Sequence, residues 1–154
     1  METLFDETSP RHFTDRIQAL GPDSSARWGK MNVQEMLEHC VLGVGVPLGK
    51  VVIPRRMVGR LFGWLGKRLA IDSDKPFSRN APTDPALLMK APSVDAGRVE
   101  ALKAELIADV LELHRRGPAG MPEAPHPFFG KLTPAEWDKL SAKHLDHHLR
   151  QFGC

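Results

Sequence analysis

The C-terminal segment carries the clearest structural signal in the chain, that of an amphipathic α-helix. Thr133 is a favoured N-cap residue, Pro134 takes the first helical position, and Glu136 completes a capping box. Leu132 and Trp137 are spaced to form a hydrophobic staple across this start. Beyond the staple, the residues of one face recur every three or four positions up to the stop signal at Gly153: Trp137, Leu140, Ser141, His144, Leu145, His148 and Phe152.

Three further segments have the same helical periodicity. The first begins with Ser9 as a cap and Pro10 as its first helical residue, and the second begins with a capping-box pattern at Asn32. The third begins near residue 95 and ends at a basic stretch before Gly117. The one β-branched cluster, residues 51–53, is followed at once by a proline. We therefore expect an all-α protein, with one four-helix-bundle domain over residues 1–154.

The stretch from Gly45 to Pro92, between the second and third main helices, cannot be one long helix because it is rich in proline. The prolines are Pro47, Pro54, Pro76, Pro82, Pro85 and Pro92. We expect a proline-rich crossover, in which residues 72–92 form an ordered loop over one end of the bundle. Loops of this length often cover a functional site.

Within this crossover, residues 55–69 have the pattern of a short basic helix. Its apolar side would consist of Met57, Leu61, Trp64, Leu65 and Leu69, and its cations are Arg55, Arg56, Arg60, Lys67 and Arg68. One interpretation is a helix that binds a membrane surface or an anion. The other is a bundle crossover whose cations are solvated, which we favour because the net charge of the whole chain is only +2.

Composition narrows the class of protein and its setting. The small net charge indicates neither nucleic acid nor a membrane as partner, and no apolar run approaches the ~20 residues that span a bilayer. The acidic start, Met1-Glu2-Thr3-Leu4-Phe5-Asp6-Glu7, is unlike a secretory signal. Two cysteines, Cys40 and Cys154, are too few for a disulfide framework. We expect a cytoplasmic protein.

Two histidines occupy the middle of the apolar side of the C-terminal helix. His144 and His148 are four residues apart, so they project from one face and could share a metal ion. Burying imidazoles among apolar groups costs free energy unless each finds a partner. A metal ion is one such partner, and a hydrogen bond to a carboxylate or backbone carbonyl is the other.

A bound metal usually needs a third protein ligand, and His39 on the second helix is the leading candidate. It lies at the edge of the apolar side, which also suits a half-exposed histidine. His126 could line a site or stabilise a turn, and we favour the turn. Cys40 could be a ligand or nucleophile, although its apolar position favours packing.

Residues 28–40, WGKMNVQEMLEHC, and residues 126–153 resemble the DinB/YfiT superfamily, and more closely its DUF1569 branch. The resemblance implies a four-helix bundle, often dimeric, which holds a divalent metal such as nickel, zinc or iron. It implies the ligand set His39, His144 and His148, and it implies that His147 is not a ligand. Characterised members of the superfamily include metal-dependent thiol transferases and hydrolases.

Three functions follow as hypotheses. The first is a metal-dependent hydrolase or thiol transferase acting on a small molecule, in which Glu35 or His147 relays a proton. The second is a non-enzymatic, small-ligand-binding or stress-associated helical bundle, with or without metal. The third is a metal-free protein whose histidines only form hydrogen bonds in the core.

Overall fold

The computed structural model describes residues 3–55, 57–81 and 83–154, and within these ranges all regular structure is helical. The α-helices are α1 (Ser9–Gln18), α2 (Val33–Gly45), α3 (Met57–Lys67), α4 (Ala96–Arg116) and α5 (Pro134–Gln151). Short 3-10 turns cover Pro85–Leu87 and Pro118–Gly120, and a π-helical turn covers Arg68–Asp72. These ranges contain no β-strand, which confirms the all-α prediction. Met1, Glu2, Arg56 and Pro82 lie outside the described residues.

Local capping explains where the helices begin. Thr133 and Glu136 exchange the two hydrogen bonds of a capping box at the start of α5, and Asn32 and Glu35 do the same at the start of α2. Asp95 accepts from the N–H of Arg98 to cap α4. The predicted cap of α1 is wrong by one residue. Ser9 is already helical, and the preceding residue takes the N-cap position without a side-chain hydrogen bond.

One hydrophobic core joins α1, α2, α4 and α5. Its fully buried side chains come from all four helices, and α2 contacts both α4 and α5. Burying each large aliphatic or aromatic side chain contributes about 1.5–3 kcal/mol, so this shared core fixes how the helices pack. Representative members are Phe13, Ile17, Met36, Leu37, Leu102, Leu106, Leu145 and Leu149. The packing of α2 on α5 brings the histidines of the two helices together.

A smaller apolar cluster lies at the start of α5. Leu132 and Trp137 are both buried in it, as the hydrophobic staple predicts, and Ile71 packs beside them. This cluster attaches the π-helical turn that follows α3 to the beginning of α5.

Helix α3 packs through its glycines and not through its large side chains. Gly59 and Gly63 are buried against residues 127–128. The predicted apolar side of this segment exists, but it points away from the protein: Met57, Leu61, Trp64, Leu65 and Leu69 are all exposed. Across the described part of the chain, none of the helices combines the length and apolarity needed to cross a bilayer.

Candidate metal centre

Three imidazoles meet where α2 packs on α5. His39 comes from α2, and His144 and His148 come from successive turns of α5. The ring centroids form a nearly equilateral triangle with sides of 4.7, 4.7 and 4.8 Å. One potential ligand atom from each residue lies within 4.8 Å of the other two. The three histidines could therefore bind a single metal ion.

A backbone carbonyl orients the ring of His39. The Nδ1 atom of His39 donates to the carbonyl oxygen of Leu87 over 2.9 Å, because a carbonyl can only accept. The neutral ring therefore presents its Nε2 lone pair on the opposite side, 2.8 Å from Nε2 of His144. Leu87 ends the 3-10 turn of the loop between α3 and α4, so this loop contacts the site.

A side-chain amide orients the ring of His148 in the same way. Gln151 donates from Nε2 to the carbonyl of Trp28 over 2.8 Å, which fixes the orientation of its amide. Its Oε1 atom is then left to accept from Nδ1 of His148, also over 2.8 Å. Nε2 of His148 is consequently free of a proton and available as a ligand atom.

Gly43 makes room for the third ring. A Cβ built on this glycine would lie 2.7 Å from Cε1 and 3.0 Å from Nδ1 of His144. Since Gly43 is one helical turn after His39, α2 supplies both a ligand candidate and the gap that admits the ring of His144.

Burial keeps all three rings neutral. Desolvation lowers the pKa of His39, against the opposing effect of its bond to Leu87. Desolvation, followed by the neighbouring imidazoles, lowers the pKa of His144 well below its usual range. For His148, desolvation is again the first cause, and the pKa falls to about 3. Neutral imidazole is the form that ligates metals.

The arrangement fits a divalent transition-metal ion. Two rings have their Nδ1 protons engaged by acceptors behind them, which is the usual support for histidine ligands. Around a tetrahedral ion with nitrogen ligands at ~2.0–2.1 Å, ligand atoms lie roughly 3.3 Å apart. The separations between the candidate ligand nitrogens range from 2.8 Å, between His39 and His144, to at most 4.8 Å, so they bracket this value. Three neutral ligands would leave the full charge of the ion available, and they would leave coordination positions open.

The two predicted proton-relay residues lie outside this triangle. Glu35 uses both carboxylate oxygens to accept backbone N–H groups, from Asn32 over 3.0 Å and from Ala91 over 3.1 Å. The ring of His147 packs edge-on against Trp28 and His148, with centroid distances of 5.8 and 5.0 Å. Desolvation lowers the pKa of His147, so its ring is neutral and can accept a proton.

The weaker candidates have structural surroundings. Cys40 is buried in the core, and burial raises the pKa of its thiol, which leaves it a poor nucleophile. His126 accepts the N–H groups of Phe128 and Phe129 through Nδ1, in the turn before α5. Burial lowers its pKa to about 4. His114 is half-buried and donates from Nδ1 to the carbonyl of Leu4.

Sequence reasoning missed the groups that support the ligand candidates. The carbonyl of Leu87 has no side-chain signature, so no sequence signal could identify it. Gln151 was part of the matching C-terminal block and lies one helical turn from His148, which was the available signal. Gly43 lies inside α2, where a glycine in the sequence alone does not indicate contact with a ring of another helix.

Comparison with known proteins identifies a family but no characterised relative. No curated protein and no solved structure matches the chain. The model of one family, described as protein of unknown function (DUF1569), matches residues 7–153. The match covers nearly the whole sequence and includes all three histidines of the triangle, so the chain belongs to the DUF1569 family.

Proposed function

We propose that this protein binds one divalent metal ion through His39, His144 and His148 and uses it as a metal-dependent hydrolase or thiol transferase. The observation that carries the proposal is the paired support behind two of the rings. Leu87 and Gln151 hold the Nδ1 protons of His39 and His148, so their Nε2 lone pairs face the same small space. Histidines that served only to fill the core would not need their Nε2 lone pairs to face a common point.

The chemistry follows from the donor set. Nickel, zinc or iron held by three neutral imidazoles would act as a Lewis acid and lower the pKa of a water or thiol that it binds. The residues of the chain supply orientation and exclude water. His147 lies beside His148 and borders a cavity, so it is the candidate to accept a proton. Both oxygens of Glu35 already accept N–H groups, which favours His147 over Glu35 in this role.

We extend the proposal to the type of fold. Helices α1, α2, α4 and α5 share one core, as a four-helix bundle of the DinB/YfiT type requires. The segment between α2 and α4 would then be the crossover of that bundle. Its contribution of the Leu87 carbonyl to the candidate metal centre supports this assignment.

A cavity beside the triangle favours a second candidate, a protein that binds a small ligand without catalysis. The cavity has a volume of about 590 Å³. Its lining combines apolar side chains with charged groups of both signs, among them Phe77, Ala142, Lys143, Asp146, His147 and Arg150. This volume suits a small organic molecule. His147 belongs to the lining, whereas the three ligand candidates do not.

Metal content tests the ligand set. The protein should be produced without a nickel-affinity step, stripped with a chelator, reloaded, and measured by elemental analysis. We expect about one ion per chain in the wild type and in His147→Ala, and almost none in His148→Ala. Far-UV circular dichroism should remain helical throughout. Full metal content in His148→Ala, or an equal loss in His147→Ala, would exclude this ligand set.

A substrate panel separates catalysis from simple binding. Esters, amides and electrophiles should be offered to stripped and reloaded protein, with and without low-molecular-weight thiols. Activity that requires metal and vanishes on chelation would support the enzyme. If the loaded protein turns over nothing, while a small ligand binds equally well to wild type and His39→Ala, the binding protein is the better description.

A further inference from the structure

Helix α3 and the turn that follows it leave most of their large hydrophobic side chains exposed. Trp64 is 66% exposed and Leu61 is 59% exposed, although both are large hydrophobic residues. The whole group, called here the α3 apolar face, consists of Met57, Val58, Leu61, Phe62, Trp64 and Leu65 on α3 and Leu69 in the π-helical turn that follows it. Scattered exposed hydrophobic residues are normal, but a contiguous group of this size marks an interaction surface.

The glycines of α3 hold this face outward. A Cβ on Gly59 would lie 2.8 Å from the carbonyl oxygen of Pro127, and a Cβ on Gly63 would collide with the carbonyl oxygen of Phe128. The helix can approach this backbone only through its glycine side. Because successive residues turn by about 100° around a helix, the large side chains project from the opposite side. Rotating α3 to bury them would drive bulky groups into the backbone of residues 127–128.

The charged residues of the segment that carries this face, from Lys50 to Ile71, are all cationic. The sequence has no aspartate or glutamate between Lys50 and Ile71. Arg60 and Arg68 are exposed and make no hydrogen bond or ion pair with any residue that the structure describes. Lys67 differs, since it pairs with Glu136 over 2.8 Å. An apolar helix face accompanied by free cations complements a surface with an apolar interior and anionic head groups.

We propose that α3 binds the surface of an anionic lipid bilayer, lying parallel to it. The α3 apolar face enters the boundary between head groups and acyl chains, with Trp64 at the level where indole rings are favoured. Arg60 and Arg68 contact lipid phosphates. Helix α3 has 11 residues and is therefore about 16 Å long, which suits attachment to a bilayer and not passage across it. For this segment we thus prefer the membrane-surface interpretation to the solvated crossover, and the proposal departs from the absence of a membrane partner that the small net charge of the whole chain led us to expect.

A second copy of the chain is a less suitable partner for the same face. In a two-fold contact, α3 would meet α3, so Arg60 and Arg68 would approach the same cations of the other copy. The segment from Lys50 to Ile71 has no acidic residue that could neutralise them. Phosphate head groups supply that neutralisation directly.

Vesicle sedimentation tests the proposal independently of metal. The full chain is mixed with vesicles of phosphatidylcholine alone or of phosphatidylcholine with phosphatidylglycerol, and the bound fraction is measured. Binding should require phosphatidylglycerol and weaken with salt. Leu61→Glu should reduce partitioning about tenfold or more, because it removes a leucine that the bilayer would bury. The matched control is Leu111→Glu on α4, where the leucine is 48% exposed, and it should have little effect.

A second pair of variants tests the cations. Arg60→Gln with Arg68→Gln should lower partitioning roughly 10- to 30-fold. The control, Lys75→Gln with Lys90→Gln, removes two positive charges from exposed positions elsewhere. It should leave the partitioning onto vesicles nearly unchanged. Circular dichroism and light scattering accompany each variant. No binding that depends on phosphatidylglycerol, or equal losses in variants and controls, would overturn the proposal. A dimer that Leu61→Glu dissociates, without vesicle binding, would assign the face to a second copy.

Discussion

The imidazole of His144 lies directly against the backbone of Gly43, so close that a Cβ on this glycine would be 2.7 Å from the ring. Helices α2 and α5 thus approach each other closely at a position where α2 has no side chain. The glycine is costly to a helix interior, where alanine is more stable by up to about 1 kcal/mol. The presence of Gly43 inside α2 is explained if the space it leaves for the His144 ring matters more than the helix stability that alanine would add.

Gly43→Ala should therefore weaken metal binding while it preserves the fold. The added methyl displaces the ring of His144, and we expect metal affinity to fall about tenfold or more, as when the orientation of a ligand is lost. Competition with a chromophoric chelator measures the affinity. Gly21→Ala is the control, because nothing lies within 4 Å of a Cβ at that position. Equal affinity in the two variants would contradict a role for Gly43.

Gln151→Leu should have a related effect through His148. The substitution keeps a similar volume but removes the acceptor for Nδ1 of His148 and the donor to Trp28. We expect metal affinity to fall 10–100-fold, and the free energy of unfolding to fall by about 1–3 kcal/mol. Gln18→Leu, at an exposed position on α1, is the matched control. An affinity within twofold of that control would show that Gln151 does not support the site.

The metal-stripped protein should lose stability as the pH falls below about 6.5. Burial lowers the pKa of five histidines, so the unfolded chain binds protons that the folded chain does not. They are His39, His126, His144, His147 and His148. The free energy of unfolding should be constant above the unfolded pKa of 6.5 and should decline towards the folded values, which are about 4 for His126 and about 3 for His148.

Urea denaturation in the presence of a chelator, at intervals from about pH 7.5 to 5, measures this dependence. Most carboxylates remain ionised in that window, so the slope reports mainly on histidines. His126→Gln should make the decline shallower. A stability that rises on acidification, or a slope unaffected by His126→Gln, would show that these rings are not held neutral by the fold.

Lys50→Met should destabilise the connection between α2 and α4. Lys50 forms an ion pair with Asp109, which is only 1% exposed. The other carboxylate oxygen of Asp109, Oδ2, has no hydrogen-bond partner in the described residues, so Lys50 is important for its neutralisation. We expect a loss of about 1–3 kcal/mol in urea denaturation, because solvent can partly replace the half-exposed lysine. A loss no larger than that of Lys75→Met would contradict this.

The parts of the structure that sequence predicts are those set by neighbouring residues. Thr133 with Glu136, and Leu132 with Trp137, act within one turn, and both motifs appear as expected at the start of α5. The spacing of His144 and His148 likewise places both rings on one face of a single helix. The presence of the helices and the pairing of His144 with His148 on one face could therefore be predicted from sequence without knowledge of the tertiary contacts.

The features that sequence did not predict depend on contacts between segments that are far apart in the chain. The orientation of α3 follows from a close approach of Gly59 and Gly63 to residues 127–128, and in sequence the stronger apolar pattern conceals the glycine pattern. The environment of His39 depends on Leu87, which is 48 residues away. A helical wheel locates His39 only at the edge of an apolar side, whereas the structure makes it 1% exposed.

The hydrogen bond from His39 to Leu87 also bears on how this family can change over time. The acceptor is a main-chain oxygen, so natural selection at position 87 acts on the path of the chain and leaves the side chain free to vary. Substitutions there should be neutral, while an insertion or deletion between residues 83 and 87 should be harmful. Divergent descendants could therefore keep the same chemistry with an unrecognisable loop.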